Sequence, residues 1–175
     1  MSAVPVSKLF DEAEIARRVE ALAGDIVRAM DTEFVVIGVL KGSFVFLADL
    51  VRALARAGGI PSIEFMRLAS YGQNKESSGE VLLLGDVPRD FGGRAVLLVD
   101  DIVDTGLSMA YGKRLLTERH ASSVRTCALL DKPSRRQVDV AIDFVGFEIP
   151  DVFVVGYGID YAEQYRYLPY IGKVT

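Results

Sequence analysis

The sequence predicts an α/β fold: a single domain over residues 1–175 with a mainly parallel central sheet flanked by helices. Two observations carry this. Residues 34–40 and 96–99 form apolar runs that do not alternate, as expected of strands buried on both faces of a parallel sheet, and 124–130 reads as a further strand. Turn chemistry follows the first two, Lys41-Gly42-Ser43 and Asp104-Thr105-Gly106, and helical periodicity follows each turn. With half its residues hydrophobic and a quarter charged, the chain has the composition of an ordinary globular protein, and its length suffices to bury a substantial core.

Residues 11–30 carry Ile15, Val19, Leu22, Ile26 and Met30 at helical spacing, with Asp11 and Glu14 placed as a capping box. The strand at 34–40 ends at Lys41, beside a glycine that lets backbone approach a ligand; a second helix then runs to Gly58-Gly59. Residues 63–69 and 81–84 read as strands. The polar stretch from Ser70 and Tyr71 to Gly79 is longer than a usual hairpin loop, and reads either as a solvent-exposed connection or as an active-site lid. Gly92-Gly93 turns the chain into the central strand, whose helix spans 107–119. His120, the only histidine, falls at the end of that helix as a surface residue. The strand at 124–130 closes on Asp131-Lys132-Pro133, where Lys132 is either a solvated turn lysine or a donor into a site. Residues 151–160 read as a core strand with a glycine-rich exit.

The 20 Lys and Arg against 24 Asp and Glu give a net charge of −4, which favours neither a nucleic-acid nor a membrane surface. Cys127 is alone and lies in an expected strand, so it forms no internal disulfide and reads as a core residue. No stretch approaches membrane-spanning length, and the N-terminus lacks the pattern of a signal peptide. A cytoplasmic location is expected.

Chemistry concentrates in Val96-Leu97-Leu98-Val99-Asp100-Asp101-Ile102-Val103-Asp104-Thr105-Gly106-Leu107-Ser108-Met109. In open α/β sheets ligands bind beyond the carboxyl ends of strands, and a helix N-terminus offers free N–H groups to a phosphate. A magnesium ion between the carboxylates and a phosphorylated ligand makes sense of an otherwise repulsive acidic pair, because Mg²⁺ takes one or two protein carboxylates and completes its shell with phosphate and water. Taken alone, Asp104 or Thr105 reads equally as a helix N-cap.

The full string resembles the phosphoribosyl-diphosphate signature of the type I phosphoribosyltransferases. Leu40-Lys41-Gly42 is similar to their pyrophosphate-binding loop, and Ser70-Tyr71 with its polar run to the mobile loop of the purine enzymes. The Lys132-Pro133 turn and Phe153-Val154-Val155-Gly156-Tyr157, followed by Asp160-Tyr161 and Arg166, resemble the base pocket of hypoxanthine-guanine phosphoribosyltransferases. The likeness extends from the first helix to about Arg166. It implies a small hood over the sheet, a mobile active-site loop and a homodimer or homotetramer. It also implies Mg²⁺ as cofactor, with a 6-oxopurine and 5-phosphoribosyl 1-diphosphate as substrates.

By the same resemblance, Lys41, Gly42 and Arg166 contact the pyrophosphate, and Asp100 and Asp101 hold the ribose hydroxyls and the metal shell. Asp160 belongs to the base pocket and is a second metal-linked position. Thr105, Gly106, Leu107 and Ser108 cradle the 5′-phosphate. One familiar version of the motif has lysine where Leu107 stands, so any contact there is through backbone. Asp104 is the general base taking the purine N7 proton; a carboxylate is a weak base in water, and a closed site favours it. Phe153 stacks on the purine, the Val154 backbone reads its edge, and Lys132 meets the exocyclic oxygen. Two alternatives stay open: a phosphoribosyltransferase for another base, and a nucleic-acid-binding regulator of the same fold that senses the sugar diphosphate. The pyrimidine-operon type of regulator tends to lose the aspartate that stands here as Asp104, and DNA-binding ones add a domain.

Overall fold

A computed structural model describes residues 5–70 and 81–174. The elements follow the order β1 (Val6–Phe10), α1 (Glu12–Ala29), β2 (Glu33–Leu40), α2 (Phe44–Arg56), β3 (Ile60–Ser70), β4 (Val81–Leu83), β5 (Ala95–Val103), α3 (Leu107–Glu118), β6 (Ser123–Asp131), a 3₁₀ turn (Pro133–Arg135), β7 (Phe144–Glu148), β8 (Val154–Val155) and β9 (Ile171–Val174). Helix α1 starts as expected, with the Asp11 carboxylate accepting from the Glu14 N–H and the Glu14 carboxylate from the Asp11 N–H, both at 2.8 Å.

Six strands form the central sheet in the order β4-β3-β2-β5-β6-β7, parallel throughout except for β4 against β3. This matches the mainly parallel sheet expected. The absence of alternation in β5 has a direct cause: Leu97 and Val99 pack with Leu22, Ile26, Phe46 and Leu50 under α1 and α2, whereas Val96 and Leu98 pack with Met66, Met109 and Leu116 under α3. Strand β5 also continues through both aspartates to Val103, because β6 pairs Asp100 with Ala128 and Val103 with Asp131.

Three segments, β1, β7 and β9, are strands that sequence patterning does not mark. β1 and β9 form a small antiparallel sheet with β8, the expected hood, and β7 adds an edge to the main sheet. The stretch 151–160 is strand only at β8; beyond it the chain turns through left-handed Gly156, Tyr157 and Gly158. The lid expectation falls largely on residues 71–80, outside the described residues; Ser70 closes β3, in register with Val81.

The chain leaves β2 through α2 toward β3 and leaves β5 through α3 toward β6, in opposite directions across the sheet. A crevice therefore opens between the carboxyl ends of β2 and β5, the position where open α/β sheets take ligands.

Candidate active site

At that crevice Gly42 lies against the Asp101 carboxylate so closely that a Cβ on it would stand 1.9 Å from Oδ2. A side chain there would displace the Asp101 carboxylate. The preceding Leu40–Lys41 peptide is cis. A Cβ on Gly158 would in turn stand 2.4 Å from the Gly42 carbonyl oxygen, so the turn after β8 backs the Lys41-Gly42 turn.

Alternation along β5 sends Asp101 toward the α2 side and Asp100 toward α3. Asp100 lines a hollow of about 110 Å³ with Asp104, Thr105, Gly106, Ser108 and Met109. Its carboxylate accepts from the Asp101 N–H at 2.9 Å. Burial pushes the Asp100 carboxyl well above the usual carboxylate range, and the neighbouring Asp101 adds to the rise. Asp101 is raised too, first by burial, with hydrogen bonding and the nearby Arg166 guanidinium opposing. Burial and mutual repulsion thus disfavour charge on both carboxylates at once, and a cation beside them would relieve that cost. Their hard oxygen donors, with few other protein ligands at hand, suit an ion that keeps open positions for phosphate. Among the described residues no group of three or more His, Cys, Asp or Glu side chains is gathered for a metal, so Asp160 is not drawn into the pair.

Helix α3 begins at Gly106, whose φ of 86° is open to glycine and strained for other residues; a Cβ would also meet Val140 Cγ1 at 2.8 Å. No side chain caps this end beyond a long 3.4 Å approach of the Leu107 N–H to Thr105 Oγ1. The first turn of α3 thus lies beside the hollow with Thr105 and Ser108 and without a side-chain cap hydrogen bond, as an anion cradle requires.

Asp104, at the rim of the hollow, pairs with Arg135 at 3.0 Å. Arg136 donates to the Asp104 carbonyl at 2.8 Å and the Val103 carbonyl at 3.1 Å, and is ion-paired with Asp131. These arginines fix the loop after β5 to the turn after β6. Neither was singled out in the sequence, although Lys132-Pro133-Ser134-Arg135-Arg136 is a basic turn at a strand's carboxyl end. Lys132 itself is buried, its side chain 8% exposed and 3.7 Å from Asp151. Few lysines are so enclosed, and this one stands at the active edge of the sheet.

Phe153 keeps 51% of its surface exposed beside Tyr161, edge-on at 5.5 Å between ring centres, as an aromatic platform. Val154 is buried in β8. Asp160 spends one oxygen on Arg166 at 2.8 Å and the other on the Glu163 N–H at 2.9 Å. Arg166 also donates to the Gly158 carbonyl at 2.8 Å. Glu163, which sequence reasoning passed over, pairs with both Lys41 and Arg166. These contacts bring Lys41, Asp160 and Arg166 together around Glu163, set Gly42 against Asp101, and link Asp104 to Lys132 through Arg135 and Asp151; Tyr71 lies outside the described residues.

Fold and site together define a type I phosphoribosyltransferase fold: an open sheet whose switch-point crevice joins an acidic pair to a helix-borne phosphate cradle. A family model describing the phosphoribosyl transferase domain matches residues 5–162, and the chain belongs to this family. The hypoxanthine phosphoribosyltransferase of Salmonella typhimurium is 45% identical over 174 residues, covering 97% of this chain and 96% of its own. The hypoxanthine-guanine phosphoribosyltransferase of Bacillus subtilis is 46% identical over 165 residues, with 94% and 90% covered. A solved hypoxanthine-guanine phosphoribosyltransferase from Bacillus anthracis superposes with a TM-score of 0.90 at 42% identity, over 99% of this chain and 100% of that one.

Proposed function

We propose that the chain is a purine salvage enzyme that transfers the 5-phosphoribosyl group of 5-phosphoribosyl 1-diphosphate to N9 of hypoxanthine, guanine or both, giving IMP or GMP and pyrophosphate. One observation carries this reading: a buried lysine, Lys132, stands on the same sheet edge as the acidic pair and the α3 cradle. The relatives named for hypoxanthine support the choice of base.

In this reading the sugar phosphate rests on the N–H groups of α3 with Thr105 and Ser108, and Lys41, Gly42 and Arg166 receive the diphosphate. The purine lies on Phe153, its edge read by the Val154 backbone and its exocyclic oxygen by Lys132. N9 attacks C1 as the bond to pyrophosphate breaks, and Asp104 accepts the N7 proton. Mg²⁺ is part of the proposal. Asp100 and Asp101 would hold it, with Asp160 as a second position, and it would supply charge neutralisation at the leaving group. The unfavourable burial of the two carboxyls supports that assignment.

A homo-oligomer is also proposed. Phe65 on β3 and Leu82 on β4 share one face of the sheet by strand alternation, and both are exposed large apolar residues. A cytoplasmic setting goes with Cys127, a free buried thiol. The test of the reaction is chromatography of mixtures holding 5-phosphoribosyl 1-diphosphate, Mg²⁺ and hypoxanthine or guanine. IMP or GMP should accumulate in step with pyrophosphate; neither product from either base would overturn the proposal.

A further inference from the structure

Lys41 and Arg166, the two cations assigned to the diphosphate, are not free: one carboxylate holds both. Glu163 Oε2 lies 3.0 Å from Lys41 Nζ, and Oε1 lies 3.3 Å from Arg166 Nη2. The chain goes to some length to bring it there. Ala162 and Glu163 stand at φ of 50° and 63° as the central pair of a two-residue turn, closed by reciprocal backbone hydrogen bonds of 3.1 and 3.0 Å between Tyr161 and Gln164. Such turns favour glycine and asparagine, and glutamate at a left-handed position is unusual. The Glu163 N–H is fixed to Asp160 at 2.9 Å, which aims the side chain across the crevice at Lys41. The hydrogen bond from Lys41 holds the Glu163 carboxyl below the usual carboxylate range, so it is charged at neutral pH.

We propose that Glu163 is an internal counter-anion of the diphosphate subsite: it neutralises Lys41 when that subsite is empty, yields to the incoming diphosphate, and returns to speed release of pyrophosphate. This rests on the reading of Lys41 and Arg166 given above. The effect runs mainly through Lys41, because Arg166 has a second carboxylate partner in Asp160, at 2.8 Å. Removing the Glu163 charge leaves Lys41 without an ion-pair partner among the described residues, so the ligand takes over its neutralisation. The diphosphate then binds more tightly and leaves more slowly.

The test is calorimetric titration of the full chain with inorganic pyrophosphate in excess Mg²⁺. Glu163→Gln should lower the pyrophosphate Kd by about 1.5- to 5-fold, the range that one exposed ion pair represents. The gain should vanish in Lys41→Met, where Glu163→Gln has nothing left to unmask. Glu118→Gln, which removes the same charge at the far end of α3, should leave the Kd unchanged. Equal or weaker binding by Glu163→Gln, or a gain that survives Lys41→Met, would overturn the counter-anion role while leaving the subsite assignment standing. Wild-type binding that is undetectable, or unaffected by Lys41→Met alone, would instead overturn that assignment and the counter-anion with it.

Discussion

At the scale of single residues, the site is a set of donors and acceptors whose substitution has a direction. Asp104→Asn keeps the shape of the loop and its tie to Arg136, which runs through the backbone carbonyl, but removes a proton acceptor. Turnover should fall by roughly 10²- to 10⁴-fold with phosphoribosyl-diphosphate affinity retained; near-wild-type kcat would make Asp104 a partner of Arg135 and no more. Lys132 has three N–H donors and no acceptor, so it suits an exocyclic oxygen and meets the amino group of adenine donor to donor. Lys132→Gln supplies an acceptor at similar length. It should cut kcat/KM for hypoxanthine and narrow a hypoxanthine-to-adenine preference on the order of 30- to 1,000-fold. An unchanged ratio would move base selection to the backbone around Val154. Asp100 and Asp101 were legible in the sequence because they interrupt an apolar run at its carboxyl end, and Lys41 and Lys132 because the turns that hold them resemble those of the family. Arg135 and Glu163 were not, because their importance lies in partners 31 and 122 residues away that only the fold brings near.

At the scale of elements, helix α1 could be read to within a residue because its cap and its apolar spacing agree. The hood could not: β1 and β9 pair across more than 160 residues, and β8 has two residues. Periodicity needs length, and those strands have little. The far edge of the sheet carries its own pin. Asp143, just before β7, accepts from the Thr126 N–H at 2.8 Å, the Thr126 hydroxyl at 3.0 Å and Arg125 at 3.0 Å, joining the starts of β6 and β7. Partial burial would raise its carboxyl, but the Thr126 and Arg125 hydrogen bonds outweigh it and hold the group below the usual range. A carboxyl lowered on folding stabilises above its unfolded pKa, and the contribution is lost as pH falls through the folded value. Asp143→Ala should therefore cost about 1–3 kcal/mol at neutral pH, with a smaller cost in acid below the carboxylate range, and leave kcat unchanged. Thermal or urea unfolding across pH checks this; a pH-independent cost would assign the loss to packing.

At the scale of the whole molecule, the opposite directions of the β2–α2–β3 and β5–α3–β6 connections create the crevice, and the pleat of β5 then faces one aspartate to Gly42 and the other to the α3 cradle. The sequence showed both strand-loop-helix units; it did not show the strand order that sets them side by side. The outer face with Phe65 and Leu82 should be covered by a second copy. Light scattering should give at least twice the 19.1 kDa chain mass, and Phe65→Glu should shift it toward one chain. A monomeric wild type would refute this. Function at this scale is the joining of a 6-oxopurine to a ribose phosphate at one sheet edge. Pyrophosphate release from 5-phosphoribosyl 1-diphosphate, measured side by side with hypoxanthine, guanine, adenine, orotate and uracil, with and without Mg²⁺, reads it at once. Mg²⁺-dependent release with hypoxanthine or guanine, and at most a small fraction of that rate with the other three, is the result predicted; release with adenine or a pyrimidine but with neither 6-oxopurine would contradict it.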